Sequence, residues 1–148
     1  MGISTIWIYG EATNGVVSTT TLELITGARQ LADTVEVIVH GDASSLASQL
    51  GEYGAASVKS IGDLGESLAG PQVASAIASA VSEGNGPEAV LCATTYDGRD
   101  VAGRLSAKLD VPVITNVVEL KVEGDRLLGV EPVFGGTTNV TTGFTGSG

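Results

Sequence analysis

The sequence predicts a three-layer αβα domain on a mostly parallel five-stranded sheet, followed by a β-hairpin and an extended arm. Three observations carry this. Short apolar runs alternate with segments whose apolar residues recur at the helical period. The run Ala89–Ala93, "AVLCA", is apolar throughout, as a strand is when helices cover both faces of its sheet. Apolar residues make up 43% of the chain but aromatics only 4%, a mix that suits packed layers better than an aromatic-rich binding face. With 148 residues the chain is long enough for one domain with a sizeable core.

Ile3–Tyr9 reads as the first strand, with Ile6, Trp7 and Ile8 in a row. The following "GEATNGVVS" is a loop punctuated by Gly10, Asn14 and Gly15. Leu22, Ile25, Ala28 and Leu31/Ala32 keep the helical period, so Thr19–Ala32 is a helix capped by Ser18 or a threonine after it. Val35–His40 is the second strand. Asp42 or Ser44 starts a short helix through Leu46, Leu50 and Tyr53, which Gly54 ends. Ser57–Ile61 is a third strand and "GDLGESLAG" a loop. Pro71 suits the first turn of a helix carrying Val73, Ile77 and Val81, closed by Gly84–Pro87. Ala89–Ala93 is the fourth strand. The helix Arg99–Leu109 sets Val101, Ala102, Leu105 and Leu109 on one face, and a fifth strand lies around Val113–Ile114. This alternation over residues 1–117 argues a parallel sheet with helices on both faces. From 118 the pattern changes. "VVELKVEGDRLLGVEPVFGG" is two extended segments about a Glu123–Arg126 turn, and "GGTTNVTTGFTGSG" has no helical period. Residues 118–148 are therefore a hairpin and an extended arm or linker.

Charge excludes several functions. Seventeen acidic side chains face 7 basic ones, a net charge of −10, which argues against a nucleic-acid footprint and against anionic membranes. The single cysteine, Cys92, and the single histidine, His40, rule out an intrachain disulfide and Cys- or His-rich metal sites. The N-terminus has no basic region before a long apolar run, and every apolar run falls well short of the ~18 residues a membrane span needs. A cytoplasmic protein without direct membrane insertion is the expectation.

Open α/β sheets bind ligands past the carboxyl ends of their strands. The first such loop, "GEATNG", is not a dinucleotide fingerprint, and no G-x-x-x-x-G-K-[ST] occurs. The loop Thr94–Gly98 is the better candidate: it joins a strand to a helix, so its amides, with Thr94, Thr95, Gly98 and Arg99, suit a phosphate. Its ordinary alternative is that Asp97 caps the helix and Arg99 pairs with Asp97 or Asp100. His40 ends a strand, and Asp97 with Asp100 offers a carboxylate pair; a small hydrolase would act through His40 or Asp97, yet no G-x-S-x-G elbow accompanies them. Cys92 reads as an inert core thiol. From the residues alone there is a fold and a candidate ligand loop, but no assembled catalytic site.

Read as a whole, "ATTYDGRDVAGRLSAKL" resembles the segment A-T-[ST]-x-x-G-R-D-[LV]-A-x-R-[LV]-A-A-[KR]-L of the electron transfer flavoprotein alpha subunit family. "TLELITGARQL", "GEYGAASV" and "EPVFGGTTNV" resemble three further segments of that family, in the right order. The resemblance implies an N-terminal domain of the adenine nucleotide alpha hydrolase-like kind. It implies a heterodimer with a beta subunit carrying FAD. Such heterodimers take electrons from FAD-containing dehydrogenases, such as acyl-CoA dehydrogenase in fatty acid beta-oxidation, and pass them to a quinone reductase or other acceptor. It also implies that most FAD contacts belong to a C-terminal domain not matched here. No FAD contact is therefore carried onto this chain, and none is expected to be held by it alone. Residues 1–148 are then the N-terminal domain, an electron-carrier scaffold and not an enzyme, with Val118–Thr142 meeting the beta subunit. The alternative is a free-standing adenine-nucleotide-binding module of the universal stress protein type, using Thr94, Thr95, Gly98 and Arg99 on phosphate.

Overall fold

Strand β1 (Ile3–Tyr9) sends alternate side chains to opposite faces, and both sets are buried: Ile6 and Ile8 one way, Trp7 and Tyr9 the other. A strand buried on both faces must lie inside a sheet with helices above and below. The computed structural model describes residues 2–146; Met1 and the last two residues of the expected arm, Ser147 and Gly148, lie outside the described residues.

The loop after β1 contains a two-residue hairpin, β2 (Ala12–Thr13) and β3 (Val16–Val17), turning on Asn14 (φ 51°) and Gly15 (φ 75°). Asn-Gly is the pair that tight hairpins favour, because both central residues need positive φ. Helix α1 (Thr19–Ala28) is capped by Ser18, whose hydroxyl accepts from the Thr21 N–H. It ends four residues earlier than its apolar period suggests. The Gln30 and Leu31 amides turn to the Gly27 and Ala28 carbonyls, a tightened last turn that releases the chain into β4 (Ala32–Val39). Helix α2 (Ser44–Tyr53) stops at Gly54 (φ 107°). β5 (Ser57–Ser60), α3 (Ala69–Ser82, with Pro71 in its first turn), β6 (Ala89–Leu91) and α4 (Tyr96–Leu109) complete the core.

The core sheet has four strands, not five, in the order β5-β4-β1-β6, all parallel. The expected strand at Val113–Ile114 does not form. Pro112 has no N–H for a ladder, and the segment is bracketed by left-handed Asp110 (φ 54°) and Asn116 (φ 54°). Helices α1 and α2 cover the Ile6/Ile8 face and α3 and α4 the Trp7/Tyr9 face, giving the three layers anticipated.

Beyond residue 118 the hairpin forms as expected, β7 (Glu119–Glu123) against β8 (Arg126–Val133). The arm is a third strand, β9 (Thr138–Gly143), antiparallel to β8. Four of its six residues are β-branched, which suits a pleated, half-exposed edge. The register partners Val122 and Leu127, beside the β7–β8 turn, pack on the core's α1/α2-side cluster. Ile114 and Val117 lie over Gly129, where a Cβ would stand 3.0 and 2.9 Å from their methyl groups.

A polar row crosses the sheet face at the register Trp7–Glu36–Ser57. Trp7 Nε1 donates to Glu36 at 2.7 Å, Ser57 Oγ donates to it at 2.6 Å, and Lys59 Nζ lies 3.2 Å away and 5.3 Å from the Trp7 ring centroid. Burial pushes the Glu36 carboxyl up, but the bonds from Ser57, Lys59 and Trp7 outweigh it and hold the group below its ordinary value. A depressed native value contributes stability above the unfolded value, and that stability is lost as pH falls through the native one. Glu36→Gln should therefore cost about 1 kcal/mol near neutrality, and the difference from wild type should shrink as pH falls below the ordinary carboxylate range. Urea unfolding of both proteins across an acid series measures it; a pH-independent difference would contradict the assignment.

Candidate functional site

The strand order reverses between β1 and β6, and the crevice outside their carboxyl ends is where such sheets receive ligands. Two segments build it, Gly10–Glu11 after β1 and Ala93–Gly98 after β6. The Glu11 backbone is fixed by the start of α1. Its N–H donates to Thr21 Oγ1 at 3.0 Å, and its carbonyl accepts from the Ser18 N–H at 2.9 Å. Its side chain reaches the start of α4, where Thr95 Oγ1 lies 2.9 Å from each carboxylate oxygen and donates to them.

Thr95 is also the cap of α4: its Oγ1 accepts from the Gly98 N–H at 3.0 Å. The helix begins at Tyr96, three residues earlier than the sequence suggested, and the cap is Thr95, not Asp97. Asp97 sits in the first turn, where the helix dipole favours an acid. Gly98 is required by close approach, since a Cβ there would stand 2.1 Å from the Ala93 carbonyl oxygen. Asp100 pairs with Arg104 at 2.9 Å, one turn on. Among the described residues Arg99 takes no ion pair, with Asp97 or with Asp100.

Of the four residues named for a phosphate, Thr95 is thus committed to Glu11 and to Gly98. Thr94, Gly98 and Arg99 line an open groove of about 1870 Å³ between the core and the C-terminal sheet. Its charged walls are Glu23, Glu88, Glu119 and Asp125 against Arg99 and Arg126. The volume exceeds the roughly 300–1,000 Å³ of small-molecule pockets. Cys92, on the same wall, has its thiol pushed up to about 12 by burial and then by Glu11, so it stays protonated. Tyr9 is fully buried, its hydroxyl has no partner among the described residues, and burial, with the charges of Glu11 and Asp97 after it, keeps it a neutral phenol. His40 follows β4, and no hydrogen bond among the described residues joins it to Asp97 or Cys92. No group of three or more His, Cys, Asp or Glu is placed to hold a metal among the described residues, and no helix there is long and apolar enough to cross a membrane.

Glu11 was not singled out from the sequence. The available signal was an acid directly past the first strand, in a loop already read as lacking a phosphate fingerprint.

A family model described as "Electron transfer flavoprotein domain" matches residues 6–146. The electron transfer flavoprotein subunit alpha of Mycobacterium leprae (strain TN) is 35% identical over 129 residues, covering 85% of this chain and 39% of that protein. The subunit alpha of Mycobacterium tuberculosis (strain ATCC 25618 / H37Rv) is 34% identical over 134 residues, 88% of this chain and 41% of its own length. That of Syntrophomonas wolfei is 29% identical over 133 residues, with 88% and 41% covered. The chain spans about two fifths of the length of the curated relatives it matches.

Two substitutions test the geometry at the α4 start. Gly98→Ala should cost about 1–3 kcal/mol, because the new methyl meets backbone rather than a side chain that can turn away. Glu11→Ala should cost about 1 kcal/mol, the worth of one charge-assisted bond at an exposed site. Denaturant midpoints at constant m-value give both; no measurable cost in Gly98→Ala would contradict the close approach to the Ala93 carbonyl, and no measurable cost in Glu11→Ala would contradict the tie to Thr95.

Proposed function

The chain belongs to the electron transfer flavoprotein alpha subunit family, and from that premise we propose that it is the N-terminal scaffold domain of such a subunit. It docks the companion beta subunit and does not itself carry the redox centre. The assembled heterodimer would move electrons from FAD-containing dehydrogenases, acyl-CoA dehydrogenase being one, to a quinone reductase or another acceptor.

The observation that carries the docking role is Phe134, a large apolar side chain left exposed on a strained backbone. Large apolar side chains are exposed along the whole chain, Val16, Tyr53, Leu68 and Tyr96 on the core and Val113, Val118, Phe134 and Val140 in the C-terminal third, so exposure by itself singles out no region. Phe134 is 83% exposed and holds a left-handed backbone (φ 51°), with Gly135 (φ 66°) and Gly136 (φ 86°) after it. A bulky residue in that conformation is strained, and such strain gathers at functional positions.

The residues of this chain do not fit a flavin dinucleotide. Its pyrophosphate needs a free helix N-terminus and cationic or amide donors. Here the Thr95 hydroxyl is taken by Glu11, Asp97 stands in the first turn of α4, and the groove walls carry four carboxylates against two guanidiniums. These features support FAD being held elsewhere in the assembly, and they weigh equally against the free-standing nucleotide module.

Truncation after Val117 should abolish assembly with the beta subunit on size exclusion, while the core keeps its far-ultraviolet dichroism. Assembly by the truncated chain would remove the docking role. Phe134→Gly should leave the isolated chain's stability unchanged or raise it by up to about 1 kcal/mol, since the strain is relieved, yet weaken the heterodimer. A loss of both together would make Phe134 merely structural. The purified chain alone should show no flavin absorbance, and flavin bound to it would contradict the division of labour.

A further inference from the structure

Apart from the short β2–β3 hairpin, four strands have an edge with no neighbour among the described residues: β5 and β6 on the parallel sheet, β7 and β9 on the antiparallel one. Three of these edges carry features that discourage pairing. β5 has four residues and bears Lys59, β6 has three and follows Glu88, and β7 alternates Glu119, Lys121 and Glu123. β9 differs. "TNVTTG" is six residues long and has no charge and no proline, in a chain of net charge −10.

The direction of its backbone groups follows from β8. The Val130 carbonyl accepts from the Val118 N–H on the β7 side, and Pro132, two residues on, has no N–H. Backbone groups alternate sides along a strand, so Gly129, Glu131 and Val133 face β9, where their register partners are Thr142, Val140 and Thr138. The N–H and C=O groups of Asn139, Thr141 and Gly143 therefore point outward. Two charges of β8 come close to β9: Glu131 accepts from the Thr142 hydroxyl at 2.7 Å, and Arg126 donates to the Phe144 carbonyl at 3.2 Å, its guanidinium lying over the Gly143 end of the strand, so the stretch from Asn139 to Thr141 is the neutral part of the edge.

We infer that the β9 edge receives an extended, uncharged strand of the companion subunit, added antiparallel through the backbone of Asn139, Thr141 and Gly143. This rests on the docking role proposed above. A second copy of this chain is the poorer occupant, because self-pairing sets two chains of net charge −10 side by side. The sheet is antiparallel throughout, and strand addition extends its ladder in the same sense. Phe134, at the turn into β9, gives the incoming strand an apolar anchor.

The test co-expresses the full chain with the beta subunit. Thr141→Pro removes only an outward N–H, so β8–β9 pairing survives, as proline is tolerated on the open side of an edge strand. The variant should raise the heterodimer dissociation constant by about tenfold or more. In the wild type, amide exchange at Asn139, Thr141 and Gly143 should slow by about tenfold or more on assembly, a reading that needs no variant to fold. Wild-type affinity in Thr141→Pro, or unchanged exchange at those amides in an assembled heterodimer, overturns strand addition and leaves the docking role standing. Failure of the wild-type chain to assemble overturns both.

Discussion

Glu11 is the point at which the two halves of the core are tied. It follows β1, which is buried on both faces, so its position is set by the packing of the whole sheet. Its backbone closes the start of α1 through Ser18 and Thr21, and its carboxylate holds Thr95 at the start of α4. Two helices on opposite faces of the sheet thus begin against one residue. Such a tie is stronger in geometry than in energy: each bond is worth about 1 kcal/mol net, but together they leave the loop little freedom.

That tie also decides the chemistry of the crevice. In doubly wound sheets the reversal of strand order opens a cleft, and a helix N-terminus there attracts an anion. In this molecule the anion beside that turn belongs to the chain itself. A phosphate would have to compete with a tethered carboxylate, whose effective concentration is on the order of millimolar or above. The site that fold class alone would nominate is therefore engaged in holding the structure, and the groove beyond it is larger than a small-molecule pocket and carries more carboxylates than guanidiniums.

Much of the core was legible because burial leaves a period in the sequence. Ile6 and Ile8 against Trp7 and Tyr9, the spacing of Val73 and Ile77, Pro71 in a first turn and Gly54 at a helix end are local features with one outcome each. The failures lie where a partner strand decides. Val113–Ile114 has strand composition, but Pro112 and the left-handed Asp110 and Asn116 keep it off the β6 ladder. Thr138–Gly143 looks like a linker because a half-exposed edge strand needs no apolar face, only a neighbour such as β8 to pair with. The Glu11–Thr95 bond spans 84 residues, and no periodicity reports a contact of that range.

The C-terminal sheet is held at one end. Val122 and Leu127 seat it on the core next to the β7–β8 turn, and Ile114 and Val117 cover Gly129 at its middle. At the far end of β8 there is the opposite arrangement: a strained, exposed phenylalanine, a pair of left-handed glycines, and a neutral strand with one row of backbone groups unpaired. A three-stranded sheet with an apolar face is close to the smallest that holds together. Leaving its last edge uncharged adds no stability to the isolated chain and invites unwanted pairing. The other edges are short or charged, so the molecule has the means to blunt β9 and does not use them. The combination is intelligible when that edge is covered in the working assembly, where the cost of keeping it open in the free chain is offset by the ladder it completes.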